Sequence, residues 1–339
     1  MTLNERHAEL RNAEPKLRIR DAAARLGTTE AALVALDPGA ISLRPDWAAL
    51  IGAMPRVGQI MALTRNDHAV HERHGRFIDV SSGPGHILVL GPDIDLRLFP
   101  GRWAYGFALG GERPSIQIFD RDGEAVHKIF AVEATDRDAW AALVAEFAMP
   151  VIAAPPETVP SLIPPAEEGL VDATALRDDW RALRDTHDFV TLLRRHKATR
   201  RQALALGGDD LALRLAPDAA SAALRAAAGV GLPVMIFVGN RSAIQIHTGP
   251  VQRLRPSPGG WFNVLDPAFN LHLRETGIAE AWRVVKPTDD GPVTSIELLD
   301  TAGSVIGQFF GARKPGQAEL TGWRAIVDAV AGEHALLPA

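Results

Sequence analysis

Cysteine is absent from this sequence of 339 residues. Without thiols the chain has no disulfide, no thiolate zinc site, no iron–sulfur cluster and no cysteine nucleophile. Apolar runs approaching the ~18–20 residues of a membrane-spanning helix are missing too. The first residues, Met1 to His7, lack the basic-then-apolar order of a secretion signal. These absences lead us to expect a cytoplasmic protein with no segment inserted in a membrane.

An excess of positive charge is also absent. The formal net charge is −5, with 47% hydrophobic and 23% charged residues, which is typical of a globular protein. Because the sequence has no basic domain, we do not expect nucleic acid as its main partner. The length leaves room for two domains of ordinary size.

The two halves of the sequence are similar to each other. The matching pairs are Asn66-Asp67-His68-Ala69-Val70 with Asn240-Arg241-Ser242-Ala243-Ile244, Asp95-Leu96-Arg97-Leu98 with Asn270-Leu271-His272-Leu273, and Ser115-Ile116-Gln117-Ile118-Phe119-Asp120 with Ser295-Ile296-Glu297-Leu298-Leu299-Asp300. Their offsets are 174, 175 and 180 residues, so the copies run in register with small insertions. Positions that are alike mostly build the shared fold, whereas polar positions that differ are where a single site could be placed.

The repeat gives a prediction for the domain boundaries. We predict an N-terminal repeat at residues 1–148, a Pro-rich linker at 149–172 and a C-terminal repeat at 173–339. The linker contains six prolines between Met149 and Glu168, which favours a semi-extended segment.

Each copy has the same order of predicted elements. Helix-forming sequence at 3–36 and at 173–228 is followed by short apolar or alternating runs, such as 87–90, 116–119 and 234–238. Asp120–Gly123 and Asp300–Gly303 each separate two such runs and predict hairpin turns. Each copy closes with a predicted helix, one around Trp140 and the other around Trp323. The pattern predicts an α+β fold with antiparallel sheets.

Three histidines cluster at His68, His71 and His74. A zinc-protease motif needs two residues between its glutamate and its second histidine, and here only one residue stands between them. On a strand, His71 would face away from His68 and His74. We therefore favour partly exposed histidines near a strand end over a metal cluster.

His187 is the histidine with the most suggestive neighbours. If residues 180–193 form one helix, His187 falls on an apolar seam with Trp180, Leu183 and Val190. A histidine on such a seam is more often a satisfied core residue than a ligand.

A second structural interpretation is that Asp185 or Thr186 caps a helix that starts at His187. The basic run at 194–201 favours a ligand-binding role instead. A neutral imidazole in an apolar setting, with cationic side chains nearby, suits a flat apolar ligand that bears carboxylates. By itself, however, such a run is most often a solvated helix face.

Arg97 is a position at which the two copies diverge, since its repeat mate is His272. It lies in an alternating run that predicts a strand. On its own, this pattern favours an outward-facing arginine paired with a carboxylate.

The sequence contains, in this order, the segments Thr64-Arg65-Asn66-Asp67-His68-Ala69-Val70-His71-Glu72, Asp95-Leu96-Arg97-Leu98-Phe99, Thr186-His187-Asp188-Phe189, Thr199-Arg200-Arg201-Gln202-Ala203-Leu204, Phe237-Val238-Gly239-Asn240-Arg241 and Lys286-Pro287-Thr288. Together these segments resemble the bacterial hemin-degrading and heme-trafficking proteins of the HemS/HmuS type. The resemblance covers nearly the whole chain, including the linker and the repeat. No single segment is diagnostic, but their common order is specific.

The resemblance implies a fold and a ligand. The fold would be α+β, with two homologous halves that each carry a large antiparallel sheet flanked by helices, and with one heme b bound between them. His187 would be the proximal iron ligand, and Arg97 would lie over the distal face as the catalytic residue. The remaining implied contacts are Arg200, Lys286 and Gln308 with the heme propionates, and Phe99 as a pocket-wall aromatic.

Elementary chemistry agrees with these implied roles. Neutral imidazole is a usual heme iron ligand, and propionates pair well with guanidinium and ammonium groups. A guanidinium such as that of Arg97 has donors but no lone pair, so it can orient water or O₂ without coordinating iron strongly. The sixth iron position would therefore stay exchangeable.

The sequence also departs from the family pattern. Phe310 stands where relatives often carry a tyrosine beside the propionates, so one hydrogen bond is missing. His68 replaces a more common aromatic, which leaves His68 or His71 as an alternative heme ligand. His7 is the repeat mate of His187 and raises the same question, although Asn12 to Pro15 breaks the helix that would support it.

The sequence is compatible with three functions. The first is an enzyme that opens heme oxidatively and releases iron, using O₂ or peroxide and an external electron donor. The second is a carrier that accepts heme from an inner-membrane ABC importer and delivers it to a separate heme oxygenase. The third is a decayed heme site that binds another small apolar acid. A free sheet edge would also allow a homodimer.

Overall fold

The structure is a computed structural model that describes residues 1–151, 154–155, 168–314 and 316–336. The chain forms two compact units. The first unit contains the described residues of Met1–Arg65 and Glu72–Ile163, together with Asn240–Gln245. The second contains Asn66–His71, the described residues of Pro164–Gly239, and those of Ile246–Ala339. Each unit thus includes a short segment from the opposite half of the chain. Most of the predicted linker at 149–172 lies outside the described residues, so its structure stays a prediction.

The first half of the chain has helices before and after a run of strands. They are α1 (Leu3–Ala13), α2 (Ile19–Leu26), α3 (Glu30–Ala35), β1 (Ile41–Leu43), α4 (Trp47–Ala53), β2 (Gly58–Arg65), β3 (Ala69–Gly75), β4 (Asp79–Gly83), β5 (His86–Leu90), β6 (Asp95–Leu98), β7 (Trp103–Leu109), β8 (Ser115–Asp120), β9 (Ala125–Thr135) and α5 (Arg137–Phe147).

The second half repeats this order. Its elements are α6 (Ala173–Arg181), α7 (Asp188–Arg195), α8 (Arg200–Leu206), β10 (Ala212–Leu215), α9 (Ala219–Val230), β11 (Val234–Gly239), β12 (Ala243–Gly249), β13 (Leu254–Ser257), β14 (Trp261–Leu265), β15 (Phe269–Arg274), β16 (Glu280–Lys286), β17 (Val293–Leu299), β18 (Val305–Gly311) and α10 (Thr321–His334). Among the described residues, no helix has the length and apolar character needed to cross a bilayer.

The strands form two large antiparallel sheets. In the first unit the neighbours run β1-β7-β8-β9-β2, and β4, β5 and β6 pair in sequence. In the second unit they run β10-β16-β17-β18-β11, and β13, β14 and β15 pair in sequence. The predicted α+β class with antiparallel sheets and an internal repeat is therefore confirmed.

Helices cover both faces of β17 in the second unit, and every residue of this strand is buried. On one face, Ile296 and Leu298 belong to a core cluster that includes Trp323 of α10. On the other face, Leu299 belongs to a smaller cluster with Trp180 of α6 and Phe189 of α7. A central strand buried on both faces has no exposed positions, which is why the sequence of β17 does not show a simple polar–apolar alternation.

Local sequence signals predicted many elements correctly. The runs at 87–90, 116–119 and 234–238 are strands, and Trp140 and Trp323 lie on the closing helices. The two predicted hairpins are present, and their glycines have positive φ, 79° at Gly123 and 77° at Gly303. The helix-rich segment 173–228, by contrast, is interrupted by the strand β10.

Two asparagines at matching positions of the repeat bind the exchanged segments, Asn66–His71 and Asn240–Gln245, to the units that contain them. The side-chain amide of Asn66 donates to the carbonyls of Gly239 and Ile306, at 3.0 and 2.8 Å. That of Asn240 donates to the carbonyls of Arg65 and Val126, at 3.0 and 2.8 Å. The match between Asn66 and Asn240 in the sequence therefore marks positions that build the shared fold.

Candidate functional site

A buried carboxylate holds two cations in the second unit. Oε1 of Glu297 accepts from Nζ of Lys286 at 2.5 Å, and Oε2 of Glu297 accepts from Nη1 of Arg200 at 2.5 Å. The Glu297 side chain is completely buried, that of Lys286 is 5% exposed and that of Arg200 is 19% exposed. We call these three residues the Glu297 cluster. Its formal charge is +1, and Arg200 is its most accessible member.

Local structure explains how the cluster is assembled. Lys286 pairs with Val293 across β16 and β17, and Glu297 follows Val293 by four residues, so both side chains share a face of the sheet. Arg200 is the first residue of α8, because the side chain of Thr199 accepts the amide hydrogen of Gln202 in a capping box. The cap places the guanidinium at the start of the helix, beside the sheet.

Gln308 lies next to the cluster on the same face of the sheet. It is the direct partner of Glu297 across β17 and β18, and of Phe237 across β18 and β11. Two residues further along β18, Phe310 packs edge-on against Phe237, with ring centroids 5.1 Å apart. Gln308 and Phe237 are partly exposed. The sheet therefore offers one amide and two aromatic rings beside the cluster.

The ring of Phe189 joins the two cations to the helices. Nζ of Lys286 lies 4.8 Å from its centroid, and the guanidinium carbon of Arg200 lies 5.1 Å from it. Trp180 packs edge-on against Phe189 at 4.6 Å. These cation–π contacts favour the charged forms of Lys286 and Arg200 in a largely dry setting.

The electrostatics of the cluster keep Glu297 ionised. Burial alone would raise the pKa of this carboxyl, but Arg200 and Lys286 outweigh burial and lower the pKa to about 2. Burial lowers the pKa of the Lys286 ammonium, and Glu297 opposes that effect. Glu297 thus remains a carboxylate at every physiological pH.

His187 lies at the turn between α6 and α7, in the same unit as the Glu297 cluster. Its side chain is 89% exposed. Nδ1 lies 2.6 Å from Oδ1 of Asp185, which also accepts the His187 backbone amide at 2.8 Å. The backbone amide contact, the largest effect, holds the pKa of Asp185 below its usual value. With the hydrogen on Nδ1, the lone pair is on Nε2, as in metal-binding histidines that donate their other N–H to a carboxylate.

The prediction that His187 lies on an apolar seam of one helix is wrong. Helix α6 ends at Arg181 and α7 begins at Asp188, with His187 as the N-terminal flanking residue. Val190 is 45% exposed, so it does not continue the seam. The interpretation with a helix start near His187 is closer, although no side chain caps α7. The Asp185 carboxylate accepts from His187, and only the Asp185 backbone carbonyl accepts from Asp188, at 3.2 Å. The Asp185 side chain accepts the His187 backbone amide, which in a continuous helix would donate to the carbonyl of Leu183.

Arg97 and Phe99 lie in the first unit. Arg97 is on β6, where it alternates with the buried Leu96 and Leu98, and its side chain is 32% exposed. It pairs with the carboxylate of Asp95, as the pattern by itself favoured. Phe99, just after β6, is 40% exposed, and its backbone amide donates to the Ser242 carbonyl at 2.9 Å. The structure thus brings Arg200, Lys286 and Gln308 together in one unit and places Arg97 and Phe99 in the other.

The other histidines do not form a metal centre among the described residues. His68 and His74 are half-buried, as expected, but His71 is completely buried against the ring of Phe269, so the expectation that it is partly exposed was wrong. His7 lies on α1, and burial lowers its pKa.

Neither Glu297 nor the role of Asp185 as the partner of the His187 imidazole was predicted from the sequence. Glu297 was detectable, because it is a charged residue in an apolar run and its repeat mate is the neutral Gln117. Phe189 lies in the segment Thr186–Phe189 that resembles the family, but nothing in the sequence pattern indicated that two cations would contact its ring.

Comparison with known proteins places this geometry in context. A model of the haemin-degrading HemS/ChuX domain matches the chain twice, at residues 26–147 and 197–330. The chain is 40% identical over 331 residues to the hemin transport protein HmuS of Yersinia pestis, with 95% of each chain covered. Among solved structures, it is similar to apo-PhuS, a heme-binding protein from Pseudomonas aeruginosa, with 49% identity and a TM-score of 0.92 over 96% of this chain and 98% of that one.

A second solved relative is ChuS, an E. coli heme oxygenase. The identity is 38% and the TM-score is 0.87, with 97% of this chain and 99% of that chain covered. Both relatives match over nearly the full length, and the family model matches both halves of the repeat. The chain therefore belongs to the haemin-degrading HemS/ChuX family.

Proposed function

We propose that this chain is a cytoplasmic heme-binding protein of heme uptake that degrades heme oxidatively and releases its iron. The observation that carries the proposal is that Arg200 and Lys286 lie together around Glu297 in the unit that also presents His187. Two cations suit the carboxylates of a flat apolar ligand. The His187 imidazole, with Nδ1 held by Asp185, suits an iron ion.

Each residue of the second unit then has a role in binding. His187 ligates the iron through Nε2, and Asp185 fixes the tautomer and orientation of the ring. Arg200, Lys286 and the Gln308 amide bind the propionates. Ring opening draws on the iron of the bound heme, O₂ or peroxide, and an external electron donor.

Arg97 and Phe99 are proposed to act from the first unit. The guanidinium of Arg97 is paired with Asp95 and partly exposed, and it supplies hydrogen-bond donors on the distal side of the iron. Phe99, with 40% of its surface exposed, supplies an apolar wall. ChuS, as a heme oxygenase, supports the enzymatic proposal.

A second function is favoured by one observation. Phe310 stands beside Gln308 without a hydroxyl group, so it cannot donate to a propionate; a missing hydrogen bond costs about 1 kcal/mol of binding. Weaker retention suits a carrier that takes heme from an inner-membrane ABC importer and passes it to a heme oxygenase. The heme-binding protein PhuS and the hemin transport protein HmuS support this role. A homodimer is compatible with either function.

A hemin titration followed by ascorbate in air separates the two functions. We expect one-to-one binding with a Soret band that fades into bile-pigment absorption, with catalase present as well as absent. Fading only without catalase would assign the reaction to free peroxide and favour the carrier. A Soret band that stays stable would also favour the carrier, and no Soret change on titration would contradict heme binding altogether.

Replacing Arg97 by alanine is expected to leave hemin affinity within a few-fold of wild type and to change the rate of peroxide-driven heme loss. The reason is that a distal donor orients the oxidant but contributes little to holding the ring. The matched control is Arg102→Ala, which removes another half-exposed arginine paired with an aspartate, Asp122, in the same unit. A collapse of hemin affinity in the Arg97 variant would instead make Arg97 a binding residue.

A further inference from the structure

We propose that Glu297 is a resident counter-ion that competes with the ligand's carboxylates for Arg200 and Lys286, and so sets how readily the ligand is released. The inference rests on the proposed function and adds a residue to it. Glu297 is a positioning residue here, because it acts on the ligand through the two cations.

The geometry shows that both cations are already engaged. Each oxygen of the Glu297 carboxylate accepts from a different cation at 2.5 Å. The Ser295 hydroxyl adds a third donor to Oε1 at 3.3 Å. The Glu297 side chain has no exposed surface, so water cannot replace Arg200 or Lys286 as its hydrogen-bond donor when a second carboxylate binds. A ligand carboxylate must therefore share donors with it.

Charge makes this sharing unfavourable for the ligand. The cluster carries +1 with Glu297 and +2 without it. Two carboxylates that share one pair of cations repel each other, and the low dielectric of a buried site strengthens that repulsion. Removing the negative charge of Glu297 leaves two buried cations that lack a counter-ion, and the ligand's carboxylate then becomes the group that neutralises them. Binding should tighten although the unliganded protein becomes less stable.

The first unit contains a natural comparison. Glu30, the first residue of α3 after the capping Thr29, accepts from Lys128 and from Arg65, and its side chain is 2% exposed. The sheet register gives the equivalence, since Lys128 pairs with Gln117 just as Gln308 pairs with Glu297.

The two copies thus place opposite charges on the equivalent elements: the acid is on a helix in the first unit and on the sheet in the second. The helix supplies the acid in the first unit and the base, Arg200, in the second. Both copies satisfy a buried lysine and an arginine with one internal carboxylate. Only the second copy shares its unit with His187, so only there do we place a competing ligand.

The test compares Glu297→Gln with Glu30→Gln. Hemin release is measured as transfer to excess apomyoglobin, and thermal unfolding is measured with and without hemin. For Glu297→Gln we expect about tenfold slower release, which corresponds to about 1.4 kcal/mol, with a lower melting temperature without hemin and a larger rise when hemin is added. The Glu30→Gln variant should also have a lower melting temperature, but it should release hemin at the wild-type rate.

A second ligand tests whether the slower release depends on the carboxylates of hemin. With hemin dimethyl ester, which lacks free carboxylates, Glu297→Gln should release the ligand at the wild-type rate. Equal slowing for hemin and its ester, or faster release of hemin, would overturn the inference. Wild-type protein that shows no Soret change with hemin would instead overturn the proposed function itself.

Glu297→Asp covers the case in which the glutamine variant does not fold. Its carboxylate is one methylene shorter and cannot reach both cations as Glu297 does, so we expect hemin release slower than wild type by a smaller factor. Release at the wild-type rate or faster from a folded Glu297→Asp variant would contradict the competition.

Discussion

Replacing His187 by alanine is expected to abolish the Soret band that hemin acquires on binding, or to shift it to a position typical of another ligand. The side chain is 89% exposed and makes a hydrogen bond to Asp185, so its removal leaves the core of the protein intact. The only large change is the loss of the imidazole that we propose as the iron ligand. Absorption spectra at matched hemin concentrations measure the effect.

The control for this variant is the histidine at the other end of the same helix. His196 follows the last residue of α7, and its Nε2 lies 2.9 Å from Oδ2 of Asp179. We expect His196→Ala to retain the wild-type Soret band. Asp185→Asn should keep the band but weaken hemin binding, because Asp185 only orients the ring. A wild-type spectrum for His187→Ala would remove His187 as the ligand.

The second large effect is expected for Arg200→Gln. This change leaves Lys286 and Glu297 as a neutral pair, so a propionate would meet no net positive charge in the cluster. Loss of a charge-assisted contact worth about 1.5–3 kcal/mol corresponds to roughly a ten- to hundredfold weaker hemin affinity. Equilibrium titration of hemin against the variant measures the loss.

The protein should also become less stable, and a matched variant separates the two effects. Glu297 is buried, so removal of one partner is expected to lower the free energy of unfolding by about 3 kcal/mol. Arg65→Gln removes the arginine that pairs with the buried Glu30 in the first unit, just as Arg200→Gln removes the arginine that pairs with Glu297. It should lose similar stability in urea unfolding and keep wild-type hemin affinity. Similar hemin affinities for Arg200→Gln and wild type would exclude Arg200 from propionate binding.

Those parts of the fold that depend on neighbouring residues could be predicted from the sequence. The hairpin at Asp120–Gly123 was predictable because the glycine must take a positive φ, and the runs on either side form strands. The break before His187 was not, since segment 180–193 has helical spacing. In the structure the His187 amide donates to the Asp185 side chain and not to a carbonyl four residues earlier, a local contact that the spacing does not reveal.

The candidate site depends on residues that are distant in sequence. Only the family resemblance predicted that Lys286, Arg200 and Gln308 belong to one site. No periodicity in the sequence indicates that the start of α8 lies beside the end of β16. Glu297 could have been found by comparing the copies, since its repeat mate in the sequence is Gln117. A buried acid in one copy and an amide in the other is the kind of polar difference expected of a site.

The exchanged segments determine when each unit can be completed during synthesis. The first unit needs Asn240, whose amide bonds to Arg65 and Val126, and the segment up to Gln245. The ribosome makes this segment long after the strands β1 to β9. An N-terminal half that emerges alone therefore stays incomplete until residue 245 has been made, and incompletely folded sheets expose the apolar surface and strand edges that favour aggregation.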